Sequence, residues 1–203
     1  MALFWLILGF LLGWVLNWLS DFLPCRLAKT PHPANLRGRA VGLPWALGAM
    51  TAVACYYFGL RGQWVSLVLY AFFLLIALID GKYRLVLNVL VYPAIALTLA
   101  YHLVAGVQSW MSVLLGGGLA LAAFVLAAWL RPGDLGGGDV KLATLIGLIF
   151  GFPGVLWPLL LGVGLGGLAA AYLLLRGYGR HHHIPYAPFL SLGVFIALFY
   201  TPL

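Results

Sequence analysis

Residues 131–142 read Arg-Pro-Gly-Asp-Leu-Gly-Gly-Gly-Asp-Val-Lys-Leu and form the longest interruption in an otherwise apolar second half of the chain. Four of these twelve residues are glycine, and the stretch holds two of the four acidic residues of the whole protein. Apolar runs lie on both sides of it, at about residues 110–130 and 139–151. The pattern predicts a polar connection between two apolar helices, and chemistry-bearing side chains are concentrated in this connection.

The composition around this stretch excludes an ordinary soluble protein. Hydrophobic residues make up 65% of the chain and charged residues 7%, whereas a globular domain has roughly 25% charged residues. Apolar runs of about 18–22 residues recur, which is the length that a helix needs to cross some 30 Å of hydrocarbon. We therefore predict an all-α fold, a polytopic membrane helix bundle with about eight transmembrane helices.

The predicted spans begin close to the first residue and follow one another with short connections. They lie at residues 2–20, 43–60, 64–80, 86–105, 110–130, 139–151, 154–176 and 185–201. The sixth is short for a crossing. The first has no basic segment before it and no small-residue cleavage site, so we expect a retained helix rather than a signal peptide.

The charges of the loops predict how these spans are oriented. With eight spans, the loops after spans 1, 3, 5 and 7 fall on one side of the membrane, and Arg61 is the basic residue that falls on the other. The basic residues of the first side are Arg26, Lys29, Arg37, Arg39, Lys82, Arg84, Arg131, Lys141, Arg176 and Arg180. The positive-inside rule makes this side cytoplasmic and leaves both termini outside.

The net charge of +7 could suggest a nucleic-acid partner, but the pattern of basic residues does not support one. They stand singly at the ends of apolar runs, without the interleaved aromatic residues of a nucleic-acid surface. Anionic lipid headgroups explain this placement better. We expect membrane lipids as partners and no nucleic acid.

No metal or cofactor site is predicted. Cys25 and Cys55 are thirty residues apart, and Cys55 lies inside an apolar run. Consecutive side chains in His181–His183 point in different directions, and no fourth ligand is evident. Residues 162–167 have the Gly-x-Gly-x-x-Gly spacing of a dinucleotide fingerprint, but they lie in an apolar helix without the preceding strand that the fingerprint requires.

Two aspartates lie where catalysis at a membrane could use them. Asp80 follows an apolar run that ends at Ile79, and Asp139 opens the sixth span. The predicted topology places both at the cytoplasmic edge of their helices. Two close carboxylates cannot both ionise easily, so one holds a proton while the other polarises a water for attack on an amide. We predict that Asp80 and Asp139 form a catalytic pair.

Each aspartate also has a purely structural interpretation. Asp139 could be the N-cap of its helix. Asp80 could be a helix-end charge that pairs with Lys82 or Arg84. Lys141, one turn into the sixth span, could tune Asp139 or extend to the membrane interface. The sequence leaves these possibilities open.

The three glycines before Asp139 are not explained by an N-cap. Gly136, Gly137 and Gly138 permit unusual backbone angles and leave a bare backbone edge, against which an extended substrate could lie. We therefore predict that these glycines contact substrate.

Three segments resemble those of a known family. Residues 136–142, Gly-Gly-Gly-Asp-Val-Lys-Leu, resemble the Gly-x-Gly-Asp motif of intramembrane aspartyl proteases, and type IV prepilin peptidases in particular. Residues 79–88, Ile-Asp-Gly-Lys-Tyr-Arg-Leu-Val-Leu-Asn, are similar to the first aspartate segment of that family. Residues 184–190, Ile-Pro-Tyr-Ala-Pro-Phe-Leu, resemble its C-terminal signature, and the three segments stand in the family's order.

The resemblance implies an aspartic endopeptidase that removes the short basic leader from type IV prepilins or pseudopilins. It implies cleavage at the cytoplasmic face of a prokaryotic inner (plasma) membrane by Asp80 and Asp139, without a cofactor. It also implies that residues 1–203 form a single integral-membrane peptidase domain. Lys82 and Lys141 would then be supporting residues that tune the pair.

Two departures from the family pattern bear on this expectation. Many bacterial members carry two Cys-x-x-Cys pairs in a long first cytoplasmic loop, associated with zinc and with N-methylation of the trimmed pilin. The corresponding loop here has only Cys25, so zinc cannot be held in that way and the N-methyltransferase activity is in question. The usual Pro-Asp after the first aspartate is replaced by Leu87-Asn88, which resembles the archaeal preflagellin-peptidase variant.

Other functions fit the residues less well. A presenilin-like protease would have tyrosine before its first aspartate, where this chain has Ile79. A small transporter or channel that uses intramembrane aspartates for proton or cation passage would favour acids near mid-bilayer and an internal repeat. Of the remaining acids, Asp134 is expected to be a solvated turn residue and Asp21 an interfacial cap at the end of the first span.

Overall fold

A computed structural model describes residues 2–28, 43–130, 135–176 and 185–200. Within these ranges the chain forms eight α-helices and no strand. The helices are α1 (Ala2–Leu27), α2 (Leu43–Leu60), α3 (Trp64–Tyr83), α4 (Asn88–Ala105), α5 (Trp110–Leu130), α6 (Gly137–Phe150), α7 (Leu156–Leu175) and α8 (Ala187–Tyr200). The prediction of an all-α, polytopic membrane fold is confirmed.

The helices differ in whether they can cross a membrane by themselves. Five of them, α1, α3, α4, α5 and α7, have the length and apolar composition to do so, and α8 is a shorter apolar helix. With 14 residues, α6 is short for a crossing of some 30 Å of hydrocarbon at about 1.5 Å per residue. The short sixth span of the sequence is therefore a real feature of the fold.

The chain divides into two compact units, of which the first comprises Met1–Arg84 and Leu198–Leu203. Its helices α1 and α2 pack along small residues: a side chain at Gly9 or Gly13 would overlap atoms of Thr51 on α2. Small residues allow membrane helices to approach this closely. This packing holds α1 and α2 together, and α3 packs against both helices.

The turn from α2 into α3 is a Schellman motif. Gly62 has φ of +68°, its N–H donates to the Gly59 carbonyl at 3.3 Å, and the Gln63 N–H donates to the Phe58 carbonyl at 3.0 Å. These two bonds satisfy carbonyl groups that the helix itself leaves without partners. The short turn determines the residue at which α3 begins. It therefore also determines how far along α3 Asp80 lies.

The second unit, Leu85–Ala197, is organised around α6. From Leu142 to Phe150 every residue of α6 except Thr144 is buried, and α4 and α5 pack against it. Gly116 on α5 and Gly147 on α6 face each other, and the backbone of each occupies the space that a side chain on the other would need. The short helix is thus covered by longer neighbours.

The C-terminal end of α6 is capped by polar groups of the same unit. His102 Nε2 lies 3.0 Å from the Leu148 carbonyl oxygen, and Gln108 Nε2 donates to the Ile149 carbonyl at 3.5 Å. Gly151, with φ of +61°, donates its N–H to the Gly147 carbonyl. A buried helix end needs such partners, and they allow α6 to stop inside the unit.

Residues 162–167, which have the spacing of a dinucleotide fingerprint, lie inside α7. A side chain at Gly162 would meet the Leu190 backbone of α8 at 2.9 Å, and one at Gly166 would meet the Tyr186 ring at 2.9 Å. Both glycines therefore serve close packing within the unit, as expected for small residues in membrane helices.

Gly116→Leu should destabilise the second unit, because the new side chain would overlap the backbone of Gly147 and Gly151. Overpacking of this kind costs about 1–3 kcal/mol. We expect a lower thermal unfolding midpoint in detergent. The matched control is Gly118→Leu on the same helix, where nothing lies within 4 Å of the added atom. Equal midpoints for the two variants would contradict the α5–α6 contact.

Candidate active site

Asp80 lies in the last turn of α3, and only 5% of its surface is exposed. Its neighbours Ile76 and Ile79 are buried as well, at 2% and 1%. An ionisable group among apolar side chains of a membrane helix is costly, which makes it a functional candidate by default. The burial of Asp80 is the property expected of a catalytic carboxyl.

The chain leaves α3 directly after Asp80 through an uncommon backbone conformation. Arg84 has φ 53° and ψ 43°, in the left-handed region that favours glycine. Its N–H donates to the Asp80 carbonyl at 2.8 Å, which closes the helix. Asp80 therefore belongs to a final turn whose end is set by this cap.

Lys82, in the same turn, is held by α1. Its Nζ donates to Asn17 Oδ1 at 2.9 Å, to Ser20 Oγ at 2.7 Å and to Asp21 Oδ1 at 2.9 Å. An ammonium group has three hydrogens, so these three acceptors match its donors in number. The observed contacts of Lys82 tie α3 to α1.

The sequence analysis expected Asp21 to be an interfacial cap at the end of the first span, and this expectation is wrong. α1 continues past it to Leu27, with Pro24 inside the helix. The physical reason is the ion pair with Lys82, which compensates the carboxylate and allows the apolar helix to run on. The Tyr83 hydroxyl also donates to Asp21 Oδ1, at 3.5 Å.

Asp139 lies in the first turn of α6 and is half-buried. The N-cap of this helix is Gly136, with φ −75° and ψ 144°, so the interpretation of Asp139 as the N-cap is wrong. Asp139 is instead the third helical residue, and its N–H donates to the Gly136 carbonyl at 3.0 Å. A carboxylate in the first turn interacts favourably with the helix dipole.

The three glycines before Asp139 have different surroundings. An added Cβ at Gly138 would lie 2.7 Å from Val86 Cβ, one at Gly136 would lie 3.3 Å from Asp139 Oδ2, and Gly137 has nothing within 4 Å. Packing against Val86 is thus enough to explain why position 138 lacks a side chain. Gly137 presents the open backbone that contact with an extended substrate would need.

Lys141 is bound to α4. Its Nζ donates to Asn88 Oδ1 at 2.9 Å and lies 5.0 Å from the centroid of the Tyr92 ring. The lysine thereby joins α6 to the first turn of α4. Asn88, noted in the sequence analysis only as a departure from a family pattern, supplies a neutral oxygen for the ammonium group.

Tyr186 is a residue near Asp139 that the sequence analysis did not assign to the site. Its ring packs edge-on against Phe124, with centroids 6.3 Å apart. Its phenol interacts electrostatically with Asp139, and a phenol hydroxyl can donate a hydrogen bond. The sequence feature that could have pointed to this tyrosine is the segment 184–190, which contains it.

Several residues considered in the sequence analysis lie outside the described part of the chain. These are Asp134 and His181–His183. Among the residues that the structure does describe, no three His, Cys, Asp or Glu side chains are grouped as a metal site would require. Cys25 in α1 and the buried Cys55 in α2 are free thiols.

Comparison with protein families decides the classification. The profile of the type IV leader peptidase family matches residues 67–201. This chain belongs to that family. The match begins inside α3 and contains both Asp80 and Asp139, while α1 and α2 precede it. The resemblance to type IV prepilin peptidases is therefore confirmed.

A curated relative gives the same classification. The chain is similar to the prepilin leader peptidase/N-methyltransferase of Bacillus subtilis (strain 168), with 26% identity over 136 residues. The match covers 66% of this chain and 55% of the relative, so the chain spans about half the length of that protein. No solved structure matches.

Variants of two neighbouring glycines can separate packing from substrate contact. Gly138→Ala should lower stability, because its Cβ would press on Val86. Gly137→Ala should keep or raise stability by up to about 1 kcal/mol, because alanine favours a helix over glycine. If Gly137 contacts substrate, leader cleavage by Gly137→Ala should nevertheless fall, with a higher KM. Thermal unfolding and cleavage kinetics of both variants are the measurements, and unchanged kinetics in Gly137→Ala would exclude substrate contact there.

Proposed function

We propose that this protein is an aspartic endopeptidase that removes the short basic leader peptide from type IV prepilins or prepilin-like proteins. The observation that carries the proposal is the burial of Asp80 at the end of a membrane-length helix, within the segment that matches a family of leader peptidases. A buried carboxyl has a high energetic cost, which makes it a functional candidate by default.

The proposed chemistry uses Asp80 and Asp139 as a pair that shares one proton. The ionised carboxylate takes a proton from a water molecule as that water attacks the carbonyl carbon of the scissile amide. The protonated carboxyl gives its proton to the carbonyl oxygen. The tetrahedral intermediate then collapses, the C–N bond breaks, and the leaving nitrogen takes up a proton.

Other residues have supporting parts in this proposal. Gly137, and to a lesser degree Gly136, offer backbone to an extended substrate, while Gly138 serves the packing on Val86. Lys82 and Lys141 support the turns that carry the two aspartates, through their bonds to neighbouring helices. The whole chain acts as one integral-membrane peptidase domain.

We further propose a prokaryotic inner (plasma) membrane location, with the active site towards the cytoplasm. The support for this orientation is the distribution of basic residues over the loops. A membrane location also suits the substrate class, because the leader of a prepilin precedes an apolar helix that stays in the bilayer. Lipids and prepilin-type substrates are thus the proposed partners.

Asp80→Asn and Asp139→Asn should each abolish leader cleavage. Asparagine keeps the size of the side chain but cannot act as acid or base, and loss of such a group lowers rates by about 10²–10⁴-fold. Cleavage of a co-expressed prepilin is read by gel mobility, with yield and elution in detergent as the folding control. Asp134→Asn is the matched acid substitution and should retain most activity. Near wild-type cleavage by either of the first two variants would contradict the pair.

The processed substrate should carry an unmethylated N-terminus. Methylation in related enzymes is associated with two Cys-x-x-Cys pairs, and this chain has only two cysteines, placed in different helices. Intact-mass spectrometry of the trimmed pilin measures this directly. An added mass of one methyl group, dependent on this enzyme, would show that methylation does not need those pairs.

A further inference from the structure

A cluster of polar side chains on α1 lies outside the segment that matches the peptidase family. Asn17, Ser20 and Asp21 are spaced so that they share one face of the helix, and all three accept hydrogen bonds from Lys82 Nζ of α3. The matched segment begins at residue 67, so the match attributes no role to α1. The contact nevertheless joins α1 to the turn that carries Asp80.

Hydrogen bonds within the cluster give its side chains a defined arrangement. Ser20 is fully buried and donates its hydroxyl hydrogen to the Asn17 carbonyl at 2.7 Å, which leaves its oxygen lone pairs directed to Lys82. The side chain of Lys82 is 11% exposed and that of Asp21 is 30% exposed. An ion pair this sheltered is less screened than a surface pair, and loss of one partner would leave a charge in an apolar setting.

The position of Lys82 gives this contact a consequence for the site. It lies two residues after Asp80, and α3 ends one residue later, at Tyr83. Helix ends fray unless other contacts hold them. Lys82 supplies such a contact from inside the last turn, and the Tyr83 hydroxyl adds a longer one to the same Asp21 oxygen, at 3.5 Å.

We propose that Asp21 is a positioning residue of the peptidase: through Lys82 it fixes the last turn of α3 and thereby the carboxyl of Asp80. The inference rests on the proposed function, in which Asp80 is catalytic. α1 then contributes to the peptidase through its contact with the turn that carries Asp80. Small displacements of a catalytic group lower the rate of the chemical step more than they change substrate binding.

The test compares Asp21→Asn with Asp21→Glu in the full chain. Asp21→Asn keeps the size but removes the charge, and should lower kcat for prepilin cleavage by about 10- to 100-fold, with KM changed by less than about twofold. Asp21→Glu keeps the charge and should restore most of the rate. The matched control is Asp134→Asn, which should behave as wild type. A wild-type kcat in Asp21→Asn, or an equal loss in Asp21→Glu, would overturn the proposal.

A second measurement does not depend on activity. Amide hydrogen exchange of peptides that cover residues 76–84 should become faster in Asp21→Asn, while the rest of α3 and the second unit exchange as in wild type. Faster exchange over the whole chain would indicate general destabilisation and would overturn the positioning role. If Asp21→Asn does not fold, Ser20→Ala, which removes one neutral acceptor, should show a smaller loss of kcat and the same local exchange.

Asp80→Asn separates this inference from the proposed function. If Asp80→Asn cleaves normally, the proposed catalytic pair is wrong. If Asp80→Asn is inactive while Asp21→Asn cleaves at the wild-type rate and shows no local change in exchange, the peptidase mechanism stands and the positioning role of Asp21 fails.

Discussion

A charged group that lies beside hydrocarbon must find its partner within the protein, because lipid offers neither water nor hydrogen bonds. In this chain, two lysines meet that requirement in the same way. Lys82 is held by oxygens of α1, and Lys141 by Asn88 at the start of α4. Each lysine stands two residues after one of the aspartates proposed for catalysis. Within each unit, the hydrogen bonds of a lysine therefore also hold the turn that carries one of these aspartates.

Close helix packing supplies the second condition for the site. α6 is short for a membrane crossing, and its residues are buried because α5 approaches it at Gly116 and Gly147. The carbonyl groups at its far end are satisfied by side chains such as His102. A short helix that is covered and capped in this way can place its polar first turn, with Asp139, at an edge of its unit. The small residues at the contact between α5 and α6 permit this arrangement.

Much of the fold follows from the sequence, because apolar runs and their breaks are local properties. The start of the second span at residue 43, of the third at 64 and of the fifth at 110 agrees with the structure. The first helix extends beyond its predicted end, since the charge of Asp21 is compensated by a residue about sixty positions away. No local sequence pattern predicts such a distant partner. The roles of Asn88 and Tyr186 escaped prediction for the same reason.

The sequence by itself determined the all-helical membrane class, the family, and Asp80 and Asp139 as the carboxyls to examine, because hydrophobic length and short motifs are written in consecutive residues. Only the tertiary structure decided that Lys82 is held by α1, that Lys141 is held by Asn88, and that Gly138 is required by packing whereas Gly137 is open. These features depend on segments that are distant in the chain. Their geometry depends on how closely small residues let the helices approach, and that distance is a property of the packed protein.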